Sequence, residues 1–197
     1  MEQFYETIEE AVKKNRDAFE VNKYLEIMDA IRNNKSIKGT ESAFLSFYRI
    51  RGKDKTWIEN YFSVMDNFLA FQKEITIEDV LNNLPHDRIE MSYASKMLAT
   101  IDDTKPIYDK WVRYALMIGD FDSDYAKSKG WKIDIYKRIL NFYENEHNKY
   151  FRNQAVSIYD SLVKEEKHRS ISRTKKIDYV LWSMGKEGIH APIAQFS

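Results

Sequence analysis

Apolar side chains recur every three or four positions along most of this chain, which is the spacing of an amphipathic α-helix. In the first such segment, Phe4, Ile8 and Val12 share one helix face. No segment shows the alternation of polar and apolar residues that is typical of a half-buried strand. The pattern therefore predicts an all-α fold, with helices over about 3–14, 17–33, 41–49, 55–72, 77–84, 91–101, 107–116, 131–150, 153–167 and 174–184.

Two of these segments carry a further signal. The segment 55–72 is too apolar for a helix with one solvated side, so we expect it to be central and buried or to line a pocket. The short helix after it has a cap signature, because Thr76 is followed three positions later by Asp79, in place of the usual glutamate. Gly119 is a candidate helix terminator further along the chain.

Lys96 and Asp109 lie outside the apolar stripes of two consecutive predicted helices. The first helix, over 91–101, places Ala94 and Leu98 on its stripe, and the second begins near Asp109. The pattern predicts that Lys96 and Asp109 lie on polar faces, where a side chain can take part in a reaction.

Charge is balanced over the chain but clustered along it. The 197 residues contain 31 Lys and Arg against 31 Asp and Glu, so the formal net charge is zero. A neutral protein can still present a phosphate-binding face where basic residues cluster, although such runs are as often plain solvated surface. One cluster contains Arg49, Arg51, Lys53 and Lys55, and the other contains Lys164, Lys167, His168, Arg169, Arg173, Lys175 and Lys176.

Several classes of site are disfavoured by what the chain lacks. It has no cysteine, which excludes disulfides, zinc–thiolate sites and a thiol nucleophile, and its four histidines are scattered. A glycine-rich phosphate loop is also missing, so we expect neither a metal nor a cofactor. No apolar run reaches about 18 residues, and the N-terminal segment is acidic and amphipathic, so we expect no membrane association and a cytoplasmic location.

The run from Lys105 to Val112, Lys-Pro-Ile-Tyr-Asp-Lys-Trp-Val, follows a helix and a turn. It resembles the segment of helix–hairpin–helix DNA glycosylases in which a proline and a hydrophobic residue precede an aspartate at the start of a helix, with a valine three positions later. Pro106, Asp109 and Val112 match this pattern. The segment 176–182 is similar to the family's closing helix. The resemblance implies a compact multi-helix fold over about 40–185.

The hairpin itself departs from the family pattern. The family normally has a Leu-Pro-Gly-Val-Gly type sequence there, whereas the segment 84–92 contains no glycine. Either Arg88 and the start of the next helix bind phosphate in its place, or the hairpin function is lost. Lyase-competent members carry a lysine in or just after the hairpin, and Lys96 lies too far along its helix for that match. The resemblance thus implies a monofunctional glycosylase, with lyase activity left open.

In this family the aspartate is the essential carboxylate, which implies that Asp109 stabilises the positive charge that builds on deoxyribose as the base leaves. Lys96 is a second candidate catalytic residue, because it can orient Asp109, contact phosphate or act as an amine nucleophile. A flipped base is usually received by aromatic side chains. The candidate base-pocket residues are Trp111, Trp182, Tyr48, Trp57 and Asp178, and the candidate contacts to the DNA backbone are Arg88, Ser92, Arg49, Arg51 and Lys53.

The resemblance therefore predicts an enzyme that excises a damaged or modified base from double-stranded DNA, in base-excision repair or in defence against phage with modified DNA. We expect a monomer, as one domain over 1–197 or as two lobes, about 1–84 with the C-terminal helices and about 85–172, with a cleft between them.

Simpler interpretations stay open. Asp109 can pair with Arg113 at the helix start, Lys96 can be an ordinary surface residue and the aromatics can be core. The chain would then be an inactive DNA-binding or protein-interaction module.

Overall fold

A computed structural model describes residues 2–71, 74–84, 90–119 and 127–192. These residues form α-helices joined by turns and two short 3₁₀ segments, with no strand among them, which confirms the all-α prediction. Within the same ranges, no helix is both long enough and apolar enough to cross a membrane. The helices are α1 Glu2–Asn15, α2 Val21–Asn34, α3 Glu41–Phe47, α4 Lys55–Phe71, α5 Ile77–Asn83, α6 Met91–Ile101, α7 Lys110–Ala115, α8 Lys129–Glu144, α9 Lys149–Leu162, α10 Glu166–Arg169 and α11 Arg173–Lys186.

The chain divides into two compact units. The first, here called the inserted unit, is the continuous segment Glu20–Asp103 and contains α2 to α6. The second, here called the terminal unit, combines Met1–Phe19 with Thr104–Ser197 and contains α1 and α7 to α11. Each unit has its own buried apolar core.

In the inserted unit, α2 packs on α3, and α6 packs on both α4 and α5. The helix α4 buries one face, on which Tyr61 and Met65 are completely enclosed, while Glu59, Asn60 and Ser63 on the opposite face are exposed. It is therefore a one-sided helix, and the expectation that so apolar a segment cannot have one solvated side is wrong. The cap before α5 is confirmed, because Thr76 Oγ1 accepts from the amide of Asp79 at 3.1 Å and the Asp79 carboxylate accepts from the Thr76 amide at 2.9 Å.

In the terminal unit, α11 is the central helix and packs against α1, α7 and α9. Its close contact with α7 depends on Gly185. A Cβ built on Gly185 would lie 2.0 Å from the carbonyl oxygen of Trp111, so only glycine permits this distance between the two helices.

Three predicted helices are interrupted. The one predicted over 153–167 is broken because α9 ends at Leu162 and α10 begins at Glu166. Glu20 adopts a left-handed conformation with φ 37°, which separates α2 from the 3₁₀ segment Arg16–Phe19. The single helix predicted over 131–150 is also wrong, because α8 ends before Asn145, whose side chain accepts from the amide of His147 at 2.9 Å. Arg152 Nη1 donates to the carbonyls of Phe142 and Asn145, at 2.7 Å each. The carbonyls at the end of α8 thus accept hydrogen bonds from a side chain of the next helix, α9.

Candidate functional site

Asp109 occupies the N-cap of α7, so this helix begins at Lys110, later than the predicted start at 107. Its backbone is extended, with φ −121° and ψ 147°, and Oδ1 accepts a hydrogen bond from the amide of Trp111 at 2.8 Å. The side chain is half-buried. Aspartate is among the best N-cap residues because its carboxylate satisfies an amide that the helix leaves without an acceptor.

The segment before Asp109 is anchored on both sides. Tyr108 is buried, and its hydroxyl accepts from Arg113 Nη1 at 2.7 Å while the guanidinium lies 4.8 Å from the ring centre. The carbonyl of Pro106 accepts from the hydroxyl of Tyr136 at 3.1 Å. An ion pair between Asp109 and Arg113, which the i,i+4 spacing allows, does not occur within the described residues. The guanidinium of Arg113 thus helps to hold the segment that carries Asp109.

Asp178 lies on α11 in a buried polar cluster, with 1% of its surface exposed. Its Oδ1 accepts from the hydroxyl of Tyr143 at 2.5 Å, and Oδ2 lies 3.6 Å from Lys175 Nζ, an ion-pair distance rather than a hydrogen bond. Burial raises the pKa of Asp178 to about 6, although Lys175, the Tyr143 hydroxyl and the amide of Ile107 oppose the rise. Burial and the nearby Asp178 carboxylate raise the pKa of Tyr143 well above its usual value.

This cluster reaches the segment that carries Asp109. The backbone of Ile107, two residues before Asp109, lies near enough to the Asp178 carboxylate to lower its pKa. Asp178 therefore lies beside this segment, and it is enclosed rather than open to a ligand. The Lys175–Asp178 spacing of three residues was visible in the sequence, but the participation of Tyr143 was not, because no local pattern joins α8 to α11.

Trp111 and Trp182 are half-buried aromatic residues of the same unit as Asp109. Trp111 immediately follows the first residue of α7, and the Lys110 ammonium lies 5.1 Å from its ring centre. Trp182 is one turn after Asp178 on α11, with its ring edge-on to Phe19 at 6.1 Å and with the Lys186 ammonium at 4.7 Å. The terminal unit thus contains four of the predicted residues, namely Asp109, Trp111, Asp178 and Trp182.

Lys96 belongs to the inserted unit, and the prediction that it lies on a polar face is wrong. Only 9% of its surface is exposed, because α6 is buried over nearly its whole circumference. Lys96 Nζ donates to the backbone carbonyl of Tyr48 at 3.1 Å and lies 5.6 Å from the ring centre of Tyr93. The carbonyl and the ring compensate for burying the ammonium group, while its aliphatic stem packs in the core.

Tyr48 and Trp57, two predicted base-pocket residues, are core residues of the inserted unit. The hydroxyl of Tyr48 is 2.9 Å from Thr100 Oγ1, and both side chains are buried. Trp57 is also buried and stacks on Tyr61 with ring centres 5.0 Å apart.

The predicted DNA-backbone contacts also fall in the inserted unit, except that Arg88 lies outside the described residues together with the rest of the segment 85–89. Arg49 and Arg51 are exposed, and Ser92 is half-buried. Lys53 is engaged by its neighbours, since its Nζ lies 2.6 Å from the Glu90 carboxylate and 4.7 Å from the ring centre of Trp57. The first basic cluster is therefore partly solvated and partly neutralised.

In the part of the chain that the structure describes, no group of three or more His, Asp or Glu side chains is placed to hold a metal ion. A scan against protein-family models and searches of curated proteins and of solved structures find no match to this chain.

Proposed function

We propose that the protein is a DNA N-glycosylase in which Asp109 is the catalytic carboxylate. The observation that carries this proposal is the placement of Asp109 at the N-cap of α7, half-buried and hydrogen-bonded to Trp111, within the run Pro106 to Val112 that resembles the helix–hairpin–helix glycosylases. A carboxylate in this position is held in one geometry, because Tyr108 and Pro106 are both anchored. Such preorganisation is what electrostatic stabilisation of a transition state requires.

The proposed reaction is a hydrolysis. The bond between C1′ of deoxyribose and the base nitrogen breaks, a water oxygen bonds to C1′, and the base leaves with a proton. Positive charge develops on the sugar as the bond lengthens, and the Asp109 carboxylate stabilises it and orients or deprotonates the water. The target base must first leave the helical stack. Trp111 and Trp182 support this proposal better than the buried Tyr48 and Trp57, because part of each indole is accessible.

We propose a monofunctional enzyme, because the ammonium of Lys96 is buried and donates to the carbonyl of Tyr48. Arg49, Arg51, Lys53, Ser92 and Arg88 remain the proposed contacts to the DNA backbone. The partner would be double-stranded DNA with one flipped base, bound by a monomer in the cytoplasm. The role would be base-excision repair or defence against phage with modified DNA.

The proposal is tested by incubating the protein with duplex oligonucleotides that each contain one damaged or modified base, followed by alkaline cleavage at abasic sites. Asp109→Asn is the informative variant, because asparagine caps a helix as well as aspartate does and the fold should persist. We expect it to lose excision by about 100-fold or more. Asp134→Asn, which changes an exposed carboxylate on α8, should retain full excision.

Excision that survives Asp109→Asn would refute the proposed mechanism. Salt-dependent binding to duplex DNA, without base release from any substrate, would instead identify an inactive DNA-binding protein. Failure to bind DNA even at low salt would favour a protein-interaction module.

A further inference from the structure

The terminal unit contains a pocket of about 200 Å³ where the start of α11 meets the end of α8. It is smaller than the roughly 300–1,000 Å³ of pockets that enclose drug-sized ligands, so it suits a small ligand or one group of a larger one. Neither Asp109 nor either half-buried tryptophan lines it. Its polar and charged side chains are Thr104, Lys105, Tyr143, Glu144, Arg152, Arg173 and Thr174.

The pocket is lined by three cationic side chains, those of Lys105, Arg152 and Arg173, and by one carboxylate, that of Glu144. Positive charge therefore predominates in it. The most enclosed of the three cationic side chains is Arg152, with 6% of its surface exposed. Its Nη1 donates to the carbonyls of Phe142 and Asn145, whereas its Nε and Nη2 have no acceptor among the described residues. Both of these donor atoms keep solvent-accessible surface, so a ligand or water can accept from them.

Arg173 adds a second guanidinium close to the first. Burial and then the charge of Arg173 lower the pKa of Arg152, against a smaller opposing effect of Glu146. Arg173 is itself exposed, and its Nη2 donates to Asn153 Oδ1 at 2.5 Å. Two like charges are thus held together at a pocket wall, an arrangement that an anion would stabilise.

Backbone donors lie beside the guanidinium groups. Ser172 Oγ accepts from the amide of Lys175 at 3.2 Å, but the amides of Arg173 and Thr174 find no acceptor in the described ranges. These amides begin α11, a helix of 14 residues whose dipole favours an anion at this end.

We propose that this pocket binds a phosphate group, as a monoester or as a diester. Guanidinium groups recognise phosphate through several parallel N–H donors, and a tetrahedral anion offers enough oxygens for both arginines and for backbone amides. The proposal does not depend on base excision, since no residue assigned to that chemistry lines the pocket.

The test is a calorimetric titration of the full-length protein with inorganic phosphate at low ionic strength. Arg173→Gln is the main variant, because Arg173 is exposed and its loss should leave the fold intact. We expect it to weaken phosphate binding about tenfold. Arg138→Gln removes the same charge from an exposed position on α8 that does not line the pocket, so it should change the affinity less than about twofold.

A matched pair of oligonucleotides, with and without a 5′-phosphate, separates the two sources of the group. Tighter binding of the phosphorylated member, lost in Arg173→Gln, identifies a monoester site. Equal binding of both members, weakened by Arg173→Gln alone, identifies a backbone diester. If both arginine variants weaken binding equally, or if the unmodified protein binds none of the three probes, the proposal is overturned.

Discussion

Replacing Gly185 by alanine is expected to destabilise the terminal unit, although alanine is the better helix former. The added Cβ would lie 2.0 Å from the carbonyl oxygen of Trp111, 2.7 Å from its carbonyl carbon and 3.0 Å from its Cα. Non-bonded carbon atoms prefer about 3.5–4.0 Å, so α7 would have to move by more than about 1 Å. The contacting atoms belong to the backbone, which cannot yield by changing a rotamer.

The magnitude follows from two opposing effects. Overpacking a buried contact lowers the free energy of unfolding by about 1–3 kcal/mol. Because the atoms that contact the new Cβ belong to the backbone, we expect the upper end for Gly185→Ala, about 3 kcal/mol. Because alanine is a better helix former than glycine, the same substitution stabilises the helix by about 1 kcal/mol. The net loss in free energy of unfolding should therefore be about 2 kcal/mol, which corresponds to a fall in Tm of about 4–8 °C for a chain of this size.

Urea denaturation monitored by tryptophan fluorescence measures this loss, because Trp111 and Trp182 lie in the same unit as the substituted residue. Gly130→Ala provides a matched control: Gly130 lies in α8, and a Cβ there meets nothing within 4 Å. The control should gain about 0.5–1 kcal/mol. If Gly185→Ala were as stable as the unmodified protein, the close contact between α11 and α7 would be refuted.

Two further predictions concern the helix cap and the buried carboxyl. Thr76→Ala should lower the free energy of unfolding by about 1 kcal/mol, since the amide of Asp79 loses its acceptor, and an unchanged urea midpoint would contradict this. Asp178 has a pKa of about 6 in the folded protein against an ordinary value of 3.8, so the folded state binds more protons between these values. The free energy of unfolding should therefore fall by roughly 3 kcal/mol as pH rises from about 4 to above 6, even with Lys175 and Tyr143 facing the carboxyl. Asp178→Asn should lack this fall, and identical pH profiles of the two proteins would exclude Asp178 as its cause.

Local sequence patterns predicted most helices because each pattern reports on a few consecutive residues. The cap before α5 shows this best: Thr76 was recognised from residue type and spacing, and it accepts from an amide of the following helix. The break between α8 and α9 escaped prediction, because apolar spacing continues through Asn145. The carbonyls at that break are satisfied by Arg152, which lies in the next helix.

The candidate site shows the same difference between features that local sequence patterns predict and features that depend on tertiary packing. The sequence placed Asp109 near the start of a helix and Asp178 among the candidate base-pocket residues. Its enclosure by Lys175 and Tyr143 requires α8 and α11 to pack, and periodicity within one helix carries no information on that packing. Lys96 was misplaced for a related reason, because a lysine outside the apolar stripe can still be covered by neighbouring elements when a carbonyl accepts from it.

By itself, the sequence determined the helical class, the order of most helices and the Thr76 cap of α5, since these depend on backbone hydrogen bonds and side chains only a few positions apart. The tertiary structure alone decided which residues share a unit, why Gly185 must be glycine, and that Arg152 and Arg173 meet at one pocket. These features depend on distances between residues far apart in the chain, and such distances arise only when the helices pack.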